Sequence, residues 1–143
     1  MFVLDTDHLS LLQWNVGAEG RLLDERLSRV PANETATTIV NFEEQMRGWL
    51  AYLARSRTVA QQIEAYRRLA RHLDCYQKIT VLDFDETAAV QFQRLQKLRP
   101  RTGTMGLKIA AIVLANKGTL FSRNASDFGP IADLRVEDWT RRE

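Results

Sequence analysis

Short apolar runs alternate with longer amphipathic stretches along this chain. Phe2-Val-Leu4 is wholly apolar and stops at Asp5, the pattern of a buried strand. Asp5 or Thr6 can cap a helix through Gln13, with Leu9, Leu11 and Leu12 as its apolar side. Gly17 and Gly20 read as a break, after which Leu22, Leu23 and Leu27 return at helical spacing. Pro31-Ala-Asn33 is a turn, and the β-branched Thr35–Thr38 stretch suits a short strand. Phe42, Met46, Trp49, Leu50 and Leu53 then follow a helical period to about Ala54, and a second long helical pattern runs from about Thr58 to Tyr76. Ile79–Leu82 is a strand, 85–98 a helix closed by Pro100, and Arg101–Thr104 a turn. Leu107–Asn116 is a strongly apolar helix stopped at Lys117-Gly118. Thr119–Ser122 is a further strand, and Arg135-Val136 the last. Strands alternating with helices predict an α/β fold, a central mostly parallel sheet of four to five strands with helices on both faces.

Composition narrows the class. The 143 residues suit one domain spanning 1–143, long enough to bury its own core. The single cysteine, Cys75, excludes an internal disulfide framework and a cysteine zinc site; it reads as a residue that packs as a small hydrophobe. His8 and His72 lie far apart, show no metal-ligand spacing, and read as surface or capping residues. No apolar run approaches the ~18 residues of a membrane span. The N-terminus reaches Asp5 with no basic region before it, unlike a signal peptide, so a soluble cytoplasmic protein is expected.

The net charge of +2 conceals an uneven distribution. Residues 47–108 hold twelve Lys and Arg against five Asp and Glu, or +7, and the remainder holds eight against thirteen, or −5. Sixteen of the twenty cations are arginine, the residue suited to phosphate forks and aromatic stacking. Solvated helix faces account for such a run; so does a basic surface for a polyanion beside a carboxylate cluster.

In parallel α/β sheets the site lies beyond the carboxyl ends of the strands. That rule selects Asp5 and Asp7 after the first strand, Glu43 and Glu44 in the first turns of the helix after the second, and Asn124 and Asp127 after the Thr119–Ser122 strand. Singly, these residues read as helix caps, dipole partners and turn residues. Together at one sheet edge, carboxylates repel one another unless a hard cation such as Mg²⁺ sits among them. Such an ion can polarise a phosphate and activate water. Trp14, Trp49 and Trp139 read as core or interface residues.

Four stretches resemble the PIN-domain ribonucleases, and among them the VapC toxins of bacterial toxin–antitoxin pairs: Phe2–Ser10, Thr38–Gly48, Gly103–Ile112 and Thr119–Phe128. Their order and spacing carry the resemblance over nearly the whole chain. It implies a PIN-like three-layer sandwich and a Mg²⁺-dependent endoribonuclease, with Mn²⁺ as a possible substitute. It further implies structured RNA, often a tRNA, as substrate, and a VapB-like antitoxin and a second copy of the chain as partners. The family's first metal-binding aspartate corresponds to Asp5, and its glutamate, four residues before a glycine, selects Glu44 because Gly48 follows. Its fourth polar position is Asn124, with Asp127 as the carboxylate that shares the role. Its third aspartate is missing: Gly106 stands there and supplies no ligand. The resemblance therefore also allows a catalytically inactive PIN-fold module that binds RNA or antitoxin. Asp5-Thr-Asp7 alone also suggests a phosphatase of the haloacid dehalogenase type, which needs a later lysine and acidic pair and usually a longer chain. An apolar surface formed by Leu11, Leu12, Trp14, Trp49 and Tyr52 is expected to receive a partner helix, unless all five pack internally.

Overall fold

The computed structural model describes residues 1–14, 17–98 and 100–142. Five strands, β1 (Phe2–Leu4), β2 (Thr35–Thr38), β3 (Thr80–Leu82), β4 (Thr119–Phe121) and β5 (Val136–Glu137), form one sheet in the order β3-β2-β1-β4-β5. Every pairing is parallel; Val3 lies opposite Ala36 on one side and Leu120 on the other. The helices between them are α1 (Thr6–Trp14), α2 (Gly17–Leu27), α3 (Ile39–Arg55), α4 (Val59–Lys78), α5 (Glu86–Lys97), α6 (Thr104–Ala115) and α7 (Ala125–Phe128).

Strand periodicity builds the three layers. Successive side chains point to opposite faces, so Val3 and Leu120 join one core with Ala88 and Leu95 of α5 and Leu107 and Ile109–Val113 of α6. Leu4 and Phe121 join the other with Leu9 of α1 and Tyr76 of α4, and Phe2, Phe42 and Trp139 pack against it. The apolar run of α6 is thus buried on nearly all sides. The chain has the α/β architecture that its sequence predicts, a parallel sheet with helices on both faces.

Helix starts are chemically specified. Thr38 caps α3 by accepting from the Asn41 N–H, Thr58 and Gln61 form a reciprocal capping box on α4, and Asp85 caps α5 by accepting from the Ala88 N–H. The start of α6 differs: its cap is Gly103, which has no side chain to bond, and no acid occupies its first turn.

Several local expectations are corrected. Only Gly17, at φ 63°, marks a break; Gly20 is buried within α2. Helix α6 begins at Thr104, three residues before its apolar run, and the short α7 follows β4 where no helix was expected. His8 and His72 are fully buried, not surface residues. Leu11, Leu12, Trp14, Trp49 and Tyr52 are all half-buried. Trp14, Trp49 and Tyr52 surround the Arg68 guanidinium, 4.9–5.7 Å from their ring centres, which closes much of the surface expected to receive a partner. No helix among the described residues is long and apolar enough to cross a membrane.

Candidate active site

The strand order reverses at β1, whose neighbours β2 and β4 are reached by crossovers to opposite sides. Ligand sites in open α/β sheets form at such a switch point, and the first polar residues past β1 and β4 meet there. Ser122 Oγ donates to Asp5 Oδ2 at 2.7 Å, although 117 positions separate the two residues. Asp5 Oδ1 accepts from the Thr6 N–H and from Asn41 Nδ2, both at 2.9 Å. Burial pushes the Asp5 carboxyl above its ordinary range; the hydrogen bond from Ser122 opposes that push, the Asp7 charge adds to it, and Thr6 and Asn41 oppose it.

Asn41 ties Asp5 to the wall formed by α3. Its Oδ1 accepts from Thr38 Oγ1 at 2.7 Å, and its Nδ2 also donates to Thr6 Oγ1 at 3.1 Å. Thr6 Oγ1 in turn donates to Glu44 Oε1 at 2.8 Å. Asp5 and Glu44 therefore belong to one hydrogen-bonded chain, with Glu44 at the solvent end. Glu43, one residue earlier, turns to Arg47.

Asp7 serves a different contact. Its Oδ1 lies 2.7 Å from His8 Nδ1, and its Oδ2 accepts from the Arg123 N–H at 2.9 Å. The Trp139 N–H donates to His8 Nε2 at 3.1 Å, which places the imidazole proton on Nδ1, facing Asp7. Asp7 thus fastens the loop after β4 directly, and the C-terminal segment through this buried histidine, to the stretch that follows Asp5. Asn124 Nδ2 donates to Asp127 Oδ2 at 2.6 Å, pairing the two candidates for the fourth position with each other.

Asp5, Asp7, Glu44, Asn124 and Asp127 line one cleft of about 570 Å³, together with Thr102–Gly106. Gly106, where the resemblance places an aspartate, thus lines the same cleft as four carboxylates. Yet among the described residues no group of three Asp, Glu, His or Cys side chains draws together closely enough to hold a metal ion. Asp5 and Glu44 offer oxygens, Asp127 is turned to Asn124, and Gly106 offers none. As arranged, these residues do not fit a resident divalent cation.

Asn41, Thr6 and Ser122 were not singled out in the sequence as site residues. Strand β4 ends at Phe121, one residue short of the expected Thr119–Ser122, so the sheet-edge rule applied one residue earlier finds Ser122. Asn41 sits inside the Thr38–Gly48 stretch, but only its burial at 0 % exposure reveals a role.

No family model and no curated protein matches this sequence. Solved structures do. A chain of VapBC-1 from nontypeable Haemophilus influenzae is 24% identical, with a TM-score of 0.69 and 98% of each chain covered. DNA-bound VapBC from Salmonella typhimurium gives 21% identity and a TM-score of 0.75, covering 96% of this chain and 97% of that one. VapBC-5 from Mycobacterium tuberculosis, a member of the VapBC family of toxin–antitoxin systems, gives 24% and 0.58, covering 95% and 94%. Over nearly its full length, then, this chain has the PIN-like fold of these toxin–antitoxin proteins.

Proposed function

We propose that this chain is the toxin half of a toxin–antitoxin pair, an endoribonuclease of VapC type whose acidic site is one carboxylate short. The observation that carries the reading is the cleft at the switch point, where Asp5, held by three donors, and Glu44 share one hydrogen-bonded chain and Gly106 lines the same space. Mg²⁺, or Mn²⁺ in its place, is the ion that a complete oxygen-donor site of this kind takes. With Gly106 in the wall, the affinity of this chain for it is low. Exposed arginines at 47, 55, 57, 67 and 71 support a structured RNA, such as a tRNA, as the polyanion bound. A cytoplasmic setting, a homodimer and a VapB-like antitoxin complete the proposal.

That no three acidic, histidine or cysteine side chains cluster among the described residues favours a second reading, a PIN-fold module that binds antitoxin or RNA without cleaving it. One assay separates the two. Purified chain and its Asp5→Ala variant are incubated with tRNA and Mg²⁺ or Mn²⁺. Slow, chelator-sensitive cleavage that Asp5→Ala abolishes supports the nuclease; loss of one site group costs ~10²-fold or more in rate. RNA retained on a filter but left intact supports the binding module. Cleavage indifferent to both chelator and Asp5→Ala refutes a role for this cleft.

A further inference from the structure

The part of the cleft wall formed by 102–106 is packed around the absence of a side chain at position 106. A β-carbon built on Gly106 falls 2.8 Å from Thr102 Cγ2 and 3.7 Å from Phe128 Cε1. Carbon atoms in good contact lie about 3.5–4.0 Å apart, so the Phe128 contact is ordinary and the Thr102 contact is a collision. Thr102 is not free to withdraw. It is 7 % exposed, and its Oγ1 donates to the Asp127 carbonyl at 2.6 Å. That bond selects one χ1 well, and in that well the γ-methyl points at Gly106. Rotation to another staggered well removes the methyl from Gly106 but also takes the hydroxyl from Asp127, in the segment that carries Asn124.

We infer that Thr102 decides whether position 106 can carry a side chain, so that the incomplete wall of the cleft is the joint property of Gly106 and the Thr102 methyl. The packing claim stands on geometry alone; its consequence for ion binding rests on the function proposed above. Gly106→Asp by itself then places its carboxylate only by displacing Thr102 and loosening its hold on Asp127. Serine at 102 has the same hydroxyl without the methyl, so Thr102→Ser opens the space and leaves the Asp127 bond intact.

Alanine isolates the collision, because it adds only the β-carbon. Glycine is a poorer helix former than alanine, so in the first turn of α6 an unobstructed Gly106→Ala is stabilising. Thermal unfolding is compared for the chain as it stands, Thr102→Ser, Gly106→Ala and the double variant. Gly106→Ala should lower the midpoint by about 3 °C or more beside Thr102 and raise it beside Ser. Equal effects in the two backgrounds overturn the inference. A second arm titrates Mn²⁺ and reads its paramagnetic relaxation. Thr102→Ser/Gly106→Asp should bind at least ~10-fold more tightly than Gly106→Asp alone, the scale seen when a supporting group around a metal ligand is lost. Equal, measurable binding by the two also overturns the inference. If the sign reversal is seen and the double variant binds no Mn²⁺, the packing claim holds and the reading of the cleft as a divalent site fails.

Discussion

His72→Phe should stabilise this protein and flatten its stability below neutral pH. His72 is 2 % exposed, stacks on Phe42 at 5.0 Å between ring centres and lies 4.7 Å from the Tyr76 ring. Neither ring nitrogen finds a hydrogen-bond partner among the described residues. An unsatisfied buried polar group costs about 1–3 kcal/mol. Phenylalanine keeps the stacking and removes both polar atoms, while its extra ring volume costs about 1 kcal/mol in a packed core. A net gain of about 1 kcal/mol corresponds to a rise in Tm of roughly 2–4 °C for a chain of this size. The pH dependence is the sharper readout. Burial lowers the His72 pKa below its ordinary 6.5, so below that pH the unfolded chain binds a proton that the folded chain refuses. Stability therefore falls as pH drops from 6.5 toward the folded-state value, by up to about 1.4 kcal/mol per unit, and is flat above 6.5. Urea unfolding of both proteins at pH 5.5, 6.5 and 7.5 isolates this contribution, since all other groups titrate alike in the two. A wild-type slope between pH 5.5 and 6.5 that persists unchanged in His72→Phe refutes the argument, as does a loss of more than about 1 kcal/mol at pH 7.5, which would mean that the ring has a partner.

Two further perturbations test the support around the cleft. Asn41→Ala strips Asp5 of a donor and leaves Thr38 Oγ1 without its side-chain acceptor; it should cost about 2–4 kcal/mol in urea unfolding. It should also move the Asp5 titration, followed by carboxyl NMR, further upward, and a downward shift would contradict the role given to Asn41. Arg68→Ala removes a guanidinium that sits over Trp14, Trp49 and Tyr52 and bonds Glu64 at 3.1 Å. It should cost about 1–2 kcal/mol and alter tryptophan fluorescence, and unchanged stability would show the cluster to be loosely held.

Local pattern was enough to place most of this molecule. The apolar run at 2–4, the Leu120-Phe121 pair within 119–122, the β-branched run at 35–38 and the long helical periods between them announce a parallel sheet, because burial on both faces and a period near 3.6 are properties of neighbouring residues. Strand direction then places Asp5, Glu44, Asn124 and Asp127 at one edge, and the structure brings all four to one cleft. What the sequence could not decide depends on partners distant along the chain. His8 and His72 look like surface residues until Trp139 and Phe42 are brought against them. Asn41 is one polar residue among many until the fold delivers Asp5 and Thr6 to its amide. At position 106 the sequence shows only which residue is missing. The space a replacement would need belongs to Thr102, whose rotamer is fixed by a carbonyl 25 residues away. Periodicity is written locally, whereas hydrogen-bond partners and free volume exist only once the chain has closed on itself.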